Sequence, residues 1–343
     1  MKDLTKEILN NIRRAIVSAK LEGCPVVTWE DEAGEDIPVL PLPSARINAA
    51  LGCGGLPFGR IIEVYGPESG GKTTLALHAI VEAQKMGKTA AFVDMEHSMD
   101  PSYAAVLGVD MENLIVSQPD TGDDAMSLCK ILIENGVDLI VIDSVAALVS
   151  KAELEKGICD ANIGLQARMM SQGLRQLVPS VSKAGAILLL TNQVRDKISF
   201  MGGETTGGGR ALKFYASVRL RIGRISAAKE TKDERQTSRV KIVKNKVGAP
   251  FRECDVDIIF GEGIDSITDT LQFAKEMKVI KTGGPYMTMP IVECVGLEGH
   301  DGNELKFRGL EAARGFVLET EGYLEVLKTL TEKAYANNRK QKE

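Results

Sequence analysis

Long apolar runs, paired cysteines and histidines are all scarce in this chain of 343 residues. No stretch of eighteen consecutive apolar residues occurs, and charged residues interrupt the first twenty positions, so neither a membrane-spanning helix nor a signal peptide is expected. The six cysteines are scattered without a C-x-x-C pair, and the chain has only three histidines, which argues against structural zinc and a disulfide framework. We therefore expect a cytoplasmic protein without a membrane partner.

The composition is that of a globular protein with a large core, and the charge is distributed unevenly along the chain. Hydrophobic residues make up 44% of the chain, and 343 residues exceed one typical domain, so we expect one large domain with smaller additions. The net charge is −5, yet residues 195–252 contain fifteen Lys or Arg and five Asp or Glu. This basic block predicts a local site for a polyanion, because affinity for phosphates depends on the local patch. A solvated strand face is the alternative.

A phosphate-binding loop is the first specific motif of the sequence. It has the pattern G-x-x-x-x-G-K-[ST] and comprises Gly66, Pro67, Glu68, Ser69, Gly70, Gly71, Lys72 and Thr73. An apolar strand precedes it and a helix follows it, which is the order of elements that this motif requires. Backbone amides and the helix N-terminus would hold phosphate, Lys72 would reach the β- and γ-phosphates, and Thr73 would hold Mg²⁺. The sequence therefore predicts a nucleoside triphosphate site.

Carboxylates at the ends of two other predicted strands extend this site. Asp143 ends the apolar run 139–142 and is the candidate second ligand of Mg²⁺, unless it only caps the following turn. Ser144 comes next, where many P-loop ATPases place a water-activating glutamate, so the base must come from another strand. Glu96 follows the apolar strand 90–94 and is the candidate that orients the attacking water, with a plain loop carboxylate as the alternative.

Three further side chains complete the predicted nucleotide site. Tyr103 offers an aromatic face for adenine, near Asp100, although a lone tyrosine more often packs in a core. Gln193, directly after the apolar strand 186–192, could hydrogen-bond the γ-phosphate and move the basic, glycine-rich segment that follows it. A turn with no sensing role is the alternative for Gln193.

The order of elements predicts an α/β fold. Apolar strands alternate with helical stretches from residue 60 to about 265, which indicates a mainly parallel sheet covered by helices. The strands expected in that sheet are 61–65, 90–94, 114–116, 139–143 and 186–192. Shorter alternating strands are predicted to add antiparallel to one edge, at 219–224, 239–247 and 254–260.

The predicted organisation has three parts. Residues 1–35 hold an N-terminal helix, over 4–20, and a linker, and residues 36–266 form the core. The remainder, 267–343, is expected to be a small α/β domain with a basic tail. The narrow apolar stripe of the N-terminal helix cannot form a core alone, so this helix must dock on its own domain or on a neighbouring subunit.

The expected C-terminal domain consists of helices and one hairpin. A helix that ends near Met277 leads to a hairpin-like stretch over 286–307, with a turn at Asp301 and Gly302, and two helices follow up to Ala336.

Several longer strings make the sequence similar to the bacterial RecA recombinase family over residues 1 to about 265. They are 66–74, which includes Thr74, 94–97, 139–148, 167–172, 211–220 and 243–246. Such strings are far more specific than a phosphate loop alone. The resemblance implies a P-loop NTPase core of the RecA type and an enzyme that hydrolyses ATP to ADP and phosphate with Mg²⁺, stimulated by DNA.

The resemblance also implies a role in homologous recombination and DNA repair, in which a helical filament on single-stranded DNA pairs with homologous double-stranded DNA and exchanges strands. Two DNA-binding loops are implied, near 155–164 and 192–209. The residues implied in DNA binding are Ile163, Arg168, Arg175, Ile198, Gly208, Gly209 and Arg210. Lys244 and Lys246 match residues that reach the ATP of the adjacent subunit, and Phe214 matches a subunit contact. A LexA-like repressor is a further implied partner.

Three features depart from the family pattern. The second loop is short and rich in glycine, Arg210 stands where an asparagine is common, and the tail is basic where the family commonly ends in acidic residues. A RecA-type core that works as a ring helicase, or as a nucleotide-gated regulatory ATPase, is the alternative function. A transporter-type ATPase is disfavoured because no L-S-G-G-Q string occurs, and a small-molecule kinase is disfavoured by the basic loops.

Overall fold

In the computed structural model the described residues are 37–155, 164–196, 204–225, 235–290 and 305–340, together with 8, 10–12, 14, 15 and 18. Compactness divides the chain into two units, Met1–Pro38 and Val39–Glu343. In the first unit the described residues between 8 and 18 are helical, as expected.

The second unit contains all the elements that are named below. Its described strands are β1 (Val39–Leu40), β2 (Leu56–Pro57), β3 (Arg60–Gly66), β4 (Ala90–Asp94), β5 (Leu114–Ser117), β6 (Leu139–Asp143), β7 (Ile187–Asp196), β8 (Glu204–Thr206), β9 (Val218–Arg224), β10 (Arg235–Asn245), β11 (Glu253–Ile259), β12 (Gly263–Ile264), β13 (Lys281–Gly283), β14 (Tyr286–Met289) and β15 (Leu305–Arg308). Its described α-helices are α1 (Ala45–Leu51), α2 (Lys72–Lys85), α3 (Pro101–Val106), α4 (Gly122–Glu134), α5 (Lys151–Leu154), α6 (Leu165–Ala184), α7 (Gly209–Tyr215), α8 (Ser266–Glu276), α9 (Leu310–Glu319) and α10 (Tyr323–Lys340).

One large sheet organises the core and confirms the α/β class. Its strand order is β12-β11-β10-β9-β3-β7-β6-β4-β5, with β8 paired to β7. The strands from β9 to β5 run parallel to one another, whereas β10, β11 and β12 are antiparallel. The central strands β4 and β6 are buried along their whole length, because helices cover both faces of the sheet.

The two faces of the sheet carry separate hydrophobic clusters. Helix α2 contributes Leu75 and Ile80 to one cluster, and helices α4 and α6 contribute Ala125 and Leu174 to the other. Packing in these clusters fixes the positions of the helices relative to the strand ends that form the site described below.

Two sequence predictions for this sheet were wrong in detail. The strand over 219–224 was expected to add antiparallel at the edge, but β9 is antiparallel only to β10 and pairs parallel with β3. The short helix α7 lies between β8 and β9 and brings the chain back to the end of the sheet at which β3 begins. Strand β9 therefore runs in the same direction as β3. The expected loop over 192–209 also contains paired backbone, because β7 continues to Asp196 and pairs antiparallel with β8.

The C-terminal residues form a second, smaller sheet with its own cluster. Strands β13, β14 and β15 are antiparallel in that order, and helices α8, α9 and α10 pack on them through Leu271, Val317 and Leu327. The expected hairpin strands at the two ends of 286–307 do pair, whereas its turn lies outside the described residues. Strand β13 was not predicted. The domain boundary near 266 stays a prediction.

No helix among the described residues is both long enough and apolar enough to cross a bilayer.

Candidate nucleotide-binding site

The phosphate-binding loop connects β3 to α2, and its backbone requires glycine at the start of the helix. Gly71 caps α2 with a φ of 96°, and a Cβ at this position would lie 2.4 Å from Ile258 Cδ1. No side chain caps the first turn of α2, so its backbone N–H groups are available to an anion. The geometry of the loop therefore suits the phosphate cradle that the sequence predicts.

A buried glutamine that the sequence analysis missed supports the same loop. Ser69 has a φ of 54°, an unusual conformation for a residue with a side chain. Its carbonyl accepts a hydrogen bond of 2.9 Å from Nε2 of Gln236, which is buried in β10. Gln236 therefore holds the strained turn from outside the motif, and no local pattern in the sequence reveals that contact.

The ammonium group of Lys72 lies inside the curve of the loop. Its Nζ donates to the carbonyl of Pro67 at 2.7 Å. Burial lowers the pKa of Lys72, and the nearby carboxylates of Asp143, Glu96 and Glu68 act in the opposite direction. A bound phosphate would add further negative charge and favour the ammonium form.

A hydroxyl and a carboxylate meet beside the loop, where the sequence predicts the Mg²⁺ ligands. Thr73 Oγ1 donates to Asp143 Oδ2 at 2.6 Å. On the other carboxylate oxygen, Thr191 Oγ1 donates to Oδ1 at 2.5 Å. Burial raises the pKa of Asp143, and these two hydrogen bonds lower it.

This donor set fits Mg²⁺ in a site completed by phosphate oxygens. Mg²⁺ prefers oxygen ligands and commonly takes only one or two protein groups when nucleotide phosphates and water supply the rest. Thr73 and Asp143 are therefore suitable candidates for a shared site. The described parts of the chain contain no group of three or more His, Cys, Asp or Glu side chains that could hold a metal ion.

The structure brings Glu96 and Gln193 together at the edge of the sheet. Gln193 lies opposite Gly66 in the register of β3 and β7, which places it beside the phosphate loop. Its Nε2 donates to Glu96 Oε1 at 3.2 Å. The hydroxyl of Ser144 donates to the same oxygen, a contact that the sequence analysis did not predict. Both donors use Oε1, and no hydrogen bond among the described residues reaches Oε2.

The neighbouring carboxylate of Asp94 has a structural role. It is buried and accepts backbone N–H groups of Ser98 and Met99, at 3.3 and 3.2 Å, and Nε2 of Gln118, at 3.1 Å. These bonds fix the turn that carries Glu96.

One of the two expected base-binding residues lines a cavity of about 290 Å³ beside the phosphate loop. Tyr103 lines it, and its hydroxyl lies 3.1 Å from Thr74 Oγ1. Asp100 is not among the lining residues, and its carboxylate caps α3 through the N–H of Ser102 at 2.8 Å. Residues 258–261, at and just after the end of β11, also line the cavity and were missed because they carry no motif.

Several residues expected to bind DNA lie in α6 and at the start of α7. Gly208 caps this helix with a φ of 77°, and its N–H donates to Gln166 Oε1 at 3.3 Å. Arg210, in the first turn, is exposed. Arg168 and Arg175 are both exposed on α6, and their spacing of seven residues places them on one face of that helix. Gly209 opens α7 itself.

The remaining DNA-binding candidates lie outside the described residues. These are Ile163 and Ile198, together with the middle of each expected loop.

Lys244 and Phe214 meet at the far end of α7. Phe214 is 71% exposed, which is unusual for a large aromatic side chain. Lys244 Nζ donates to the carbonyls of Lys213 and Phe214, at 2.7 and 2.9 Å. Burial lowers the pKa of Lys244, and the neighbouring cations Lys246 and Arg219 lower it further.

Lys244 is not among the residues that line the nucleotide pocket of its own chain. Gln236, eight residues earlier in β10, does line that pocket, whereas Lys244 Nζ is held at the end of α7.

Comparison with known proteins gives one consistent result. The family model described as the RecA N-terminal domain matches residues 10–265. Protein RecA of Heliobacterium modesticaldum is 49% identical over 285 residues, which cover 82% of this chain and 81% of the relative. Protein RecA of Chloroherpeton thalassium is 52% identical over 262 residues, 75% and 73% of the two chains. Protein RecA of Mycobacterium ulcerans is 46% identical over 313 residues, 90% and 87% of the two chains.

Proposed function

This chain belongs to the RecA family, and from that premise we propose the reaction and the assembly that its nucleotide site supports. Its function is DNA recombination and repair. In our proposal the protein binds ATP with Mg²⁺, forms filaments on single-stranded DNA, and pairs that strand with a homologous duplex. ATP hydrolysis, stimulated by DNA, then releases the filament.

The observation that carries the proposal is the meeting of three strand ends at the phosphate loop. Thr73 contacts Asp143, Glu96 contacts Gln193, and the carboxylates of Asp143 and Glu96 both lie near Lys72. In this arrangement Lys72 balances the charge of the phosphates, and Glu96 orients water for attack on the γ-phosphate. Thr73 and Asp143 would hold Mg²⁺, which when bound would supply charge stabilisation at the phosphate oxygens.

A second part of the proposal concerns the neighbouring subunit. Lys244 does not line the pocket of its own chain, and in this proposal it reaches the nucleotide of an adjacent protomer. Lys246, exposed and two residues further on, has the same role. The exposed ring of Phe214 beside them supports a subunit contact at this surface. ATP bound between protomers would make hydrolysis depend on filament formation.

Single-stranded DNA would bind to the surface around the start of α7. The backbone N–H of Gly209 suits a phosphate oxygen, and the exposed guanidinium groups of Arg168, Arg175 and Arg210 supply positive charge. A LexA-like repressor, bound by the assembled filament, is a further proposed partner.

Two alanine variants test the assignment of nucleotide and DNA sites. Lys72→Ala should abolish ATP turnover, because it removes the cation of the phosphate loop. Arg175→Ala should leave the affinity for an ATP analogue unchanged and weaken the binding of single-stranded DNA. Arg239→Ala is the matched control, because Arg239 is also exposed but pairs with Asp255 on β11. Unchanged stimulation of ATP hydrolysis by DNA in both test variants would refute the assignment.

Electron microscopy with ATP and single-stranded DNA separates the recombinase from its alternative. Helical filaments are expected, and closed rings would favour a helicase.

A further inference from the structure

A buried carboxylate that the proposed chemistry does not use lies three residues before the phosphate loop. The side chain of Glu63, in β3, has no exposed surface. Its Oε2 forms an ion pair with the guanidinium of Arg219, which lies opposite it in β9. Burying one charge is costly unless its partner stays in place, so the two side chains are tied together.

On one side, Glu63 is connected to the residue expected to sense the γ-phosphate. Asn192 Nδ2 donates to Glu63 Oε1 at 2.9 Å. Asn192 Oδ1 accepts the backbone N–H of Gln193 at 2.9 Å. Since Gln193 in turn contacts Glu96, only one side chain separates Glu63 from the polar groups of the nucleotide site.

The same asparagine also holds the start of α7. Asn192 Nδ2 donates to the carbonyl of Gly207 at 3.1 Å, directly before the glycine that caps this helix. A displacement of Asn192 would therefore move the backbone to which we assign DNA binding.

On its other side, Glu63 is connected to the end of α7. Arg219 is mostly buried, and its guanidinium lies over the ring of Tyr65, 4.6 Å from the centroid. Arg219 lies opposite Lys244 in the register of β9 and β10. Lys244 Nζ in turn donates to the last carbonyls of α7. Glu63 thus stands at the centre of a network that reaches both ends of α7.

We propose that Glu63 is a positioning residue that couples Gln193 to both ends of α7, through Asn192 on one side and through Arg219 and Lys244 on the other. This role rests on the proposed function of the nucleotide and DNA sites. A change at Gln193 is transmitted to the glycine start of α7 and to the exposed surface around Phe214. In the reverse direction, DNA bound at the start of α7 changes the rate of hydrolysis.

Glu63→Gln tests the coupling, because glutamine keeps an oxygen for Asn192 and removes the charge that fixes Arg219. With DNA at saturating ATP, kcat should fall about tenfold, within the range known for coupled sites. The KM for ATP without DNA should stay within about twofold, since Glu63 contacts no part of the pocket. Glu253→Gln is the matched control, because Glu253 is a half-exposed glutamate that pairs with cations on β10. This control should behave as the wild type.

The outcomes distinguish the coupling role from the function on which it rests. If the wild type is stimulated by DNA and folded Glu63→Gln is stimulated equally, the coupling role is wrong and the proposed function stands. If the wild type is not stimulated by DNA, both fail. Should Glu63→Gln not fold, the double variant Glu63→Gln, Arg219→Gln replaces the ion pair by two amides. Normal stimulation in that variant would also overturn the proposal, and lost stimulation with normal KM would support it.

Discussion

The buried imidazole of His78 should control how the stability of the protein depends on pH. His78 lies in α2, and its Nε2 accepts the backbone N–H of Ile264 at 2.9 Å. Burial, with a smaller effect of Lys85, lowers the pKa of His78 from 6.5 to about 4. The unfolded chain therefore takes up this proton below pH 6.5, whereas the folded protein does so only near pH 4. Stability is lost as the pH falls through this window.

The size of this loss follows from the shift in pKa. At about 1.4 kcal/mol for each pKa unit, the folded state loses about 3 kcal/mol between pH 7 and pH 4 on account of His78. His78→Gln keeps an acceptor for the Ile264 N–H and does not titrate. As the pH falls from 7 to 4, the free energy of unfolding of this variant should therefore rise by about 3 kcal/mol relative to that of the wild type.

Urea unfolding followed by circular dichroism, at pH 7, 6, 5 and 4, measures this difference. Comparing each variant with the wild type at each pH removes the contribution of all other titrating groups. His97→Asn, which changes an exposed histidine, is the control and should follow the wild-type curve. A constant difference between His78→Gln and the wild type from pH 7 to pH 4 would refute the reasoning.

Two further predictions concern the phosphate loop. Gly71→Ala should weaken the binding of a fluorescent ATP analogue by about tenfold or more, because the new Cβ lies 2.4 Å from Ile258 Cδ1 at a φ that disfavours alanine. Gly87→Ala, at a positive φ with nothing nearby, is its control, and equal affinities in the two variants would contradict this prediction. Gln236→Leu should weaken the same binding by about threefold to tenfold, since one hydrogen bond to Ser69 is lost. Titration with the analogue checks both, and wild-type affinity in Gln236→Leu would show that the loop does not need this support.

The parts of the fold that sequence alone predicted are those with a local cause. Fully buried strands such as β4 and β6 are continuous apolar runs, and the glycines and Lys72 define the loop directly. The direction of β9 has no such local cause. Its alternating burial suits a parallel or an antiparallel neighbour equally, and only the crossover through α7 decides between them.

The same distinction applies to the candidate site. Lys72, Thr73 and Asp143 could be found because each follows a recognisable strand or motif. Ser144 and Thr191 could not, because their contacts with Glu96 and Asp143 depend on which strands are neighbours in the sheet.

Glu63 differs from these residues, because the sequence itself contains a feature that indicates its importance. It is a lone charge in the apolar strand 61–65, and a buried charge needs a partner. Its partners, Arg219 and Asn192, lie more than a hundred residues away in sequence. Only the order of strands shows that this carboxylate connects two proposed sites.

The most direct test measures how the bound nucleotide changes the affinity of the protein for single-stranded DNA. The dissociation constant of a fluorescently labelled single-stranded oligonucleotide is determined by anisotropy, once with a non-hydrolysable ATP analogue and Mg²⁺ and once with ADP and Mg²⁺. Binding should be about tenfold tighter or more with the ATP analogue, as expected for coupled sites. Equal affinities in the two nucleotide states would contradict the claim that ATP at this phosphate loop governs DNA binding.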